Sequence, residues 1–321
     1  MKEEGIVFYK GFFILLITLF VVGCITNPKI SEISHSQLST GTPSFTQLTS
    51  SNSMDPPIII EQTATTLPTD DNRTKPENWK DFPIIPEPTN RSVEIFSLGK
   101  QLGNNLNSFS KIGDCHNIKE AFLGFFDFPE RVILSDETLY LQETLIYFRG
   151  NFNRDGFAVK GGLNAPSMLS VLRSDPDFCL SGESPLACEL RINKHVIAFV
   201  SFEEWWKGRT IEVYENYLKQ IVEIIISNGT IPVLITKADN QEGDHSINFN
   251  IAKIAFEYDI PLINWWKHAQ TLPNKGMDIE RDDGFHISQT SWTERSYDAL
   301  KTLTSLMQGI YNEKEQGFNI R

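Results

Sequence analysis

The chain is short of positive charge, of cysteine and of recognisable cofactor motifs. Its 29 Lys and Arg face 41 Asp and Glu, for a formal net charge of −12. Removing the first 23 residues leaves that balance unchanged, because Lys2 and Lys10 offset Glu3 and Glu4. Such an acidic chain argues against nucleic acid as a partner and against adhesion to anionic lipid by charge. No zinc-ligand spacing, Gly-rich phosphate loop or dinucleotide fingerprint is present. Neither a metal nor a cofactor is therefore expected. No repeat of 20–50 residues is visible, which argues against solenoids and propellers. The apolar run Phe12 to Val22 is broken by Thr18 and falls short of the roughly 20 residues of a comfortable membrane-spanning helix.

What is there begins with that run. Its length suits the hydrophobic core of a signal peptide. It ends in Val21-Val22-Gly23-Cys24, which resembles the lipobox of bacterial lipoproteins. That resemblance implies cleavage after residue 23, a lipid on Cys24, and a membrane-anchored protein on the extracytoplasmic face. From 24 to 90 Ser, Thr, Pro and Asn dominate. Such a composition cannot bury enough apolar surface to offset its ordering entropy, and it predicts a disordered tether. Ile58-Ile59-Ile60 is the apolar exception. Residues 91–321 are long enough for one α/β domain with a substantial core.

The four cysteines then divide. Cys24 is taken by the lipid. Cys179 and Cys188 flank a turn-rich loop and should pair in an oxidising compartment. Cys115 is left over. A buried inert thiol and a reactive one are the two readings of it.

The clearest periodicity runs from His195 to Trp266. Val196–Val200, Ile231–Ile235 and Ile260–Ile263 are continuous apolar runs, as in parallel strands covered on both faces. Ile211 to Ile225 and Ile247 to Tyr258 lie between them at helical spacing, and Asn228-Gly229 caps the first. This alternation predicts βαβ units in a mainly parallel sheet within a three-layer α/β/α sandwich. Upstream, Phe109–Ile112 reads as a first strand, Leu139–Phe148 as a helix and Phe157–Val159 as a short strand. Trp292–Tyr311 reads as the last helix. Ligands of such sheets bind at the carboxyl ends of the strands. Those ends carry Gly113-Asp114-Cys115, Gly161-Gly162-Leu163-Asn164, Ser201-Phe202-Glu203-Glu204 and Thr236-Lys237-Ala238-Asp239-Asn240.

Two motifs carry the chemistry. Gly113-Asp114-Cys115 puts a nucleophile on a tight turn. Asp283-Gly284-Phe285-His286 puts an imidazole three residues after a carboxylate that can orient it. Nucleophile, base and orienting acid are the minimal parts of covalent hydrolysis, in whatever chain order. Asp282 is a rival of Asp283, and His116 a rival of His286. Asp239, Asn240, Glu242, Asp244 and His245 lack the spacing of a calcium loop, so capping of a helix from about Ser246 is their expected use. Trp205, Trp206, Trp265 and Trp266 read either as core or as a sugar-stacking platform.

In these blocks the chain resembles the SGNH/GDSL hydrolase superfamily, from about Phe109 to the last helix. The resemblance implies that Cys115 replaces the nucleophilic Ser and that Asp283 and His286 complete the triad. It makes Gly162, or its neighbour Gly161, the oxyanion donor. The third block departs from the family, offering Ser201-Phe202-Glu203-Glu204-Trp205 where Gly-x-Asn belongs. The expected substrate rim is Asn164, Glu203, Glu204, Asp239, Asn240 and Trp205. The implied activity is an esterase or deacylase acting on a small-molecule or glycan ester. The alternative is an inactive, SGNH-shaped domain that binds glycan or wall material. Oligomeric state leaves no mark in the sequence.

Overall fold

The computed structural model describes residues 73–202 and 210–312. The expectations placed on Cys24, Ile58–Ile60, Glu203, Glu204, Trp205 and Trp206 lie outside the described residues. The sheet is four-stranded and wholly parallel, in the order β1 (Asn105–Gly113), β2 (His195–Ser201), β3 (Ile231–Ile235), β4 (Leu262–Ile263). The helices are α1 (Asn90–Gln101), α2 (Gln142–Tyr147), α3 (Ala165–Met168), α4 (Pro185–Asn193), α5 (Ile211–Ser227), α6 (Ser246–Glu257), α7 (Trp265–Ala269) and α8 (Gln289–Asn312). They pack as two groups, α3 to α6 together and α1, α2 and α7 around α8, with the sheet between them. This is a three-layer α/β/α sandwich.

The apolar runs explain the layers. Every residue of β2 and β3 is buried, because helices cover both faces. On α5 the buried positions Leu218, Ile221, Val222 and Ile225 repeat at the helical period. Phe109, Phe122, Phe148, Phe152 and Phe199 form a fully buried aromatic cluster beside β1, with ring centroids 5.3–5.8 Å apart.

Several expectations are corrected. Residues 73–90 are not part of a tether. Trp79 is buried, and its ring lies 5.0 Å from that of Trp266. Asn264 Nδ2 donates to the carbonyls of Trp79 at 2.9 Å and Phe82 at 3.2 Å. One aromatic anchor and a satisfied amide are enough to order a polar segment. The Phe157–Val159 strand shrinks to a single parallel bridge, Gly113 to Val159. Leu139–Phe148 divides into a 3-10 turn and α2. Cys179 and Cys188 are disulfide-bonded as expected, but Cys188 sits inside α4 rather than in a loop.

A buried polar network fastens α4 to the sheet. The Glu189 carboxylate is fully buried. It accepts from Ser110 Oγ at 2.7 Å, from Phe157 N at 2.8 Å and from Arg154 at 3.2 Å, and lies 2.8 Å from His195 Nε2. Burial alone would raise this carboxyl. The bonds from His195 and Ser110 and the charge of Arg154 outweigh burial and hold it at about 2.

Removing one member of such a set leaves uncompensated buried charge, so Glu189→Ala should lose about 3–5 kcal/mol in urea unfolding at pH 7. The folded pKa is depressed from its ordinary value of about 4.3. Stability from this group is therefore complete above that value and declines as pH falls toward 2. The parent should lose stability across that window more steeply than Glu189→Gln; equal slopes would contradict the network.

Candidate active site

The site begins with the register of β1 on β2, which sets Gly113 beside Ser201. A Cβ on Gly113 would stand 2.0 Å from the Ser201 carbonyl oxygen and 2.2 Å from Asn117 Nδ2, so only glycine fits there. The chain then turns sharply. Asp114, fully buried, caps the 3-10 turn Cys115–Asn117 by accepting from His116 N at 3.0 Å. Cys115 is thereby set at the carboxyl edge of the sheet, half-buried and not disulfide-bonded. The bridge to Val159 lies on one side of β1 and β2 on the other, so Cys115 stands where strand order reverses.

The second motif forms a compact loop before α8. Asp283 Oδ1 accepts from the backbone of Phe285 at 3.2 Å and of His286 at 3.1 Å. Its Oδ2 lies 2.7 Å from His286 Nδ1. Burial would raise the Asp283 carboxyl, but the bonds from His286 and Phe285 outweigh it and the pKa is lowered. An ionised carboxylate on Nδ1 keeps the ring proton there and leaves Nε2 as the acceptor. Cys115 Sγ is 3.4 Å from Nε2. The loop is held on both flanks: Asp278 N donates to His286 O at 2.9 Å, and Gln241 Nε2 donates to Asp283 O. Asp282 makes no part of this arrangement.

His116 does not replace His286. Its ring is buried and stands 5.1 Å, centroid to centroid, from that of His286. Burial, then the charges of Arg295 and His286, push its pKa well below the usual value, so it is neutral. Its Nε2 accepts from Ile287 N at 3.3 Å.

Beneath the turn lies a group that sequence reading missed. Arg295 of α8 is fully buried. It donates to His116 O at 2.7 Å, Asn117 Oδ1 at 3.2 Å and Ser201 Oγ at 2.5 Å, and its guanidinium lies 4.4 Å from the Phe122 ring centre. The available signal was the polar stripe Ser291, Arg295, Asp298, Thr302, spaced along one face of α8 and buried throughout.

The other expected residues are placed as follows. Gly161 runs alongside the nucleophile, where a Cβ would lie 3.8 Å from that of Cys115; Gly162 follows with φ +77°. Asn164 caps α3, accepting from Ser167 N at 3.1 Å and Ser167 Oγ at 2.6 Å. Asn240 and Asp239 help to line a cleft of about 370 Å³ with Gln241, His245, Trp266 and Gly284. Asn240 is an exposed member of that wall, yet its Oδ1 is taken by His245 N at 2.8 Å. Asp239 lines the same cleft from a buried position. Its side chain is buried and lies 2.6 Å from Lys237 Nζ, which also contacts Glu242 at 2.7 Å. Desolvation raises the Asp239 pKa. This ion-paired knot fixes the loop. Asp244, not Asp239, accepts from the first amide of α6, Ser246 N, at 2.9 Å.

No family model matches the sequence, and no curated protein matches it. Among solved structures the chain is similar to the lipase/acylhydrolase from Enterococcus faecalis, at 14% identity and a TM-score of 0.40, over 61% of this chain and 95% of that one. It is also similar to a candidate GDSL-like lipase from Parabacteroides merdae ATCC 43184, at 14% identity and a TM-score of 0.36, over 60% and 98%.

An imidazole that accepts the thiol proton should accelerate alkylation of Cys115 by iodoacetamide near pH 7. His286→Ala should slow it at least tenfold, and Asp283→Asn should slow it less. Mass spectrometry of the labelled peptide measures both; rates equal to the parent would refute the coupling.

Proposed function

We propose that this chain is a lipid-anchored, extracytoplasmic acyl hydrolase of the SGNH type. One observation carries the reading: the unbroken series of Cys115 Sγ, His286 Nε2 at 3.4 Å and Asp283 Oδ2 at 2.7 Å from Nδ1. Sγ attacks an ester carbonyl while His286 Nε2 takes the thiol proton. The C–S bond forms and the carbonyl π pair moves to oxygen. The amides of Cys115 and of Gly161 or Gly162 are the groups assigned to that oxyanion. His286 then returns the proton to the leaving alkoxide as the C–O bond breaks. Water, deprotonated by the same imidazole, cleaves the thioester. Asp283 stays ionised throughout and steadies the imidazolium.

The carrier of the acyl group is assigned as a carbohydrate. The cleft beside Gly284 supports that choice, since it combines an aromatic wall, Trp266, with amide side chains of Asn240, Gln241 and Gln270. A non-hydrolytic, glycan-binding reading has one observation in its favour. Ser201 stands where the third-block donor region begins, and its hydroxyl donates to Asn117 Oδ1 at 3.1 Å. It offers no donor to an oxyanion.

The purified chain should hydrolyse p-nitrophenyl acetate, and Cys115→Ala should lower kcat/KM at least a thousandfold. Equal rates for parent and variant would leave the glycan-binding reading in its place.

For the anchor, Cys24→Ala should abolish incorporation of labelled palmitate and leave an uncleaved precursor. Labelling and cleavage as in the parent would exclude a lipid on Cys24.

A further inference from the structure

We infer that Cys115, His116 and His286 form a three-ligand site for a thiophilic divalent cation of the Zn²⁺ class. One ligand atom from each lies within 4.8 Å of the other two. A sulfur and a nitrogen sharing one tetrahedral zinc, with bonds near 2.3 and 2.0–2.1 Å, stand about 3.5 Å apart. Sγ and His286 Nε2 already stand 3.4 Å apart. The third ligand therefore closes the triangle by a movement of about 1 Å.

Two further observations point to a cation. First, His286 Nδ1 is bound to the Asp283 carboxylate at 2.7 Å. Metal-ligating histidines characteristically hold such a partner on the second nitrogen, which aims the first and raises its basicity. Second, His116 is buried, and its Nδ1 has no hydrogen-bond partner among the described residues. A buried nitrogen left without such a partner beside a thiol–imidazole pair calls for an explanation, and a bound cation supplies one. Asp114 Oδ1, 3.9 Å from that nitrogen, adds negative charge nearby. Coordination through His116 Nε2 would replace the 3.3 Å bond from Ile287 N directly. Coordination through Nδ1 would shift the ring proton to Nε2 and give up the same long bond. Either route exchanges one weak hydrogen bond for a metal–nitrogen bond.

The proton balance is simple. The cation replaces the single proton shared by Cys115 Sγ and His286 Nε2, giving a thiolate and a neutral imidazole, and one proton leaves to solvent. Cys115 and His286 are both partly exposed, so water can complete the coordination. Sequence spacing conceals the site, because two ligands are adjacent and the third is 170 residues further on than the second (His116, His286).

The test is a Co²⁺ titration of the metal-stripped full chain, without substrate. The parent should bind one equivalent and show a near-ultraviolet thiolate-to-cobalt charge-transfer band, which Zn²⁺ should bleach. Cys115→Ser should lack the band. His286→Ala and His116→Asn should keep their circular dichroism and bind at least tenfold more weakly. No band in the parent, or unchanged affinity in a folded His116→Asn, would overturn the site. If His116→Asn fails to fold, X-ray absorption of the Zn²⁺-loaded parent decides: one sulfur and two imidazoles support the inference, and one imidazole overturns it. The reading does not depend on hydrolysis. Where both hold, Zn²⁺ should inhibit ester turnover by occupying the nucleophile; an inert esterase that binds Co²⁺ would refute only the proposed function.

Discussion

The buried guanidinium of Arg295 is the contact on which the site's geometry depends. It joins the last helix to the nucleophile turn and to the end of β2 through His116 O, Asn117 Oδ1 and Ser201 Oγ. Burying a cation is costly, and its hydrogen bonds must be well placed to offset that cost. Here they converge on the carbonyl of the residue after Cys115 and on two side chains that also bind each other. Asn117 Nδ2 lies 2.9 Å from Ser201 Oγ and 3.0 Å from the Ser201 carbonyl. Shifting α8 along its axis would break these bonds together. The loop bearing His286 leads directly into α8. The position of His286 is thus coupled to that of Cys115 through one side chain.

A second buried charge fixes the opposite wall. Glu189 binds the Phe157 amide, and Gly156 passes so close that a Cβ there would stand 2.2 Å from the carboxylate oxygen. That contact directs residues 158–160 along β1, where Gly113 N donates to Ala158 O at 2.9 Å and Lys160 N to Gly113 O at 3.2 Å. The next residue is Gly161, beside Cys115. A single bridge is a weak strand, so the network does what a longer ladder would otherwise do. Both sides of the nucleophile are therefore held by polar groups that water does not reach, rather than by apolar packing alone. Buried polar networks of this kind favour one arrangement because a half-satisfied alternative is expensive.

The parts legible in sequence are those whose periodicity comes from burial. β2, β3, α5, α6 and α8 lie where their apolar spacing puts them, because two covered faces leave no other pattern. The motifs around Cys115 and His286 were legible because each is local: a glycine forced by close approach, and a carboxylate three residues before an imidazole. What was not legible was long-range and polar. Residues 73–90 differ from the Ser/Thr-rich stretch before them in Trp79, Phe82 and their charges, but what holds them, Asn264, lies far along the chain. Arg295 reads as an exposed helix residue until the turn it supports is in view. Asp239 lies at the strand end where the sequence puts it, but its ion pair with Lys237, two residues away, left no mark in the pattern.

A sulfur at position 115 asks different things of its neighbours than a serine oxygen would. A thiol, with a free pKa of about 8.5, gives up its proton far more readily than a serine hydroxyl does. An imidazole beside a thiol therefore has less work in drawing off its proton than one beside a hydroxyl. The same sulfur makes the pair a soft donor set. Sulfur and the imidazole aimed by Asp283 are what a Cys–His dyad and a zinc site have in common, and His116 is what the zinc site would add. A serine at this position would keep the first property and lose the second. At the inferred metal site, proton and metal ion would compete for the same two atoms, Sγ and Nε2, 3.4 Å apart, and pH and free metal concentration would set which of them is bound.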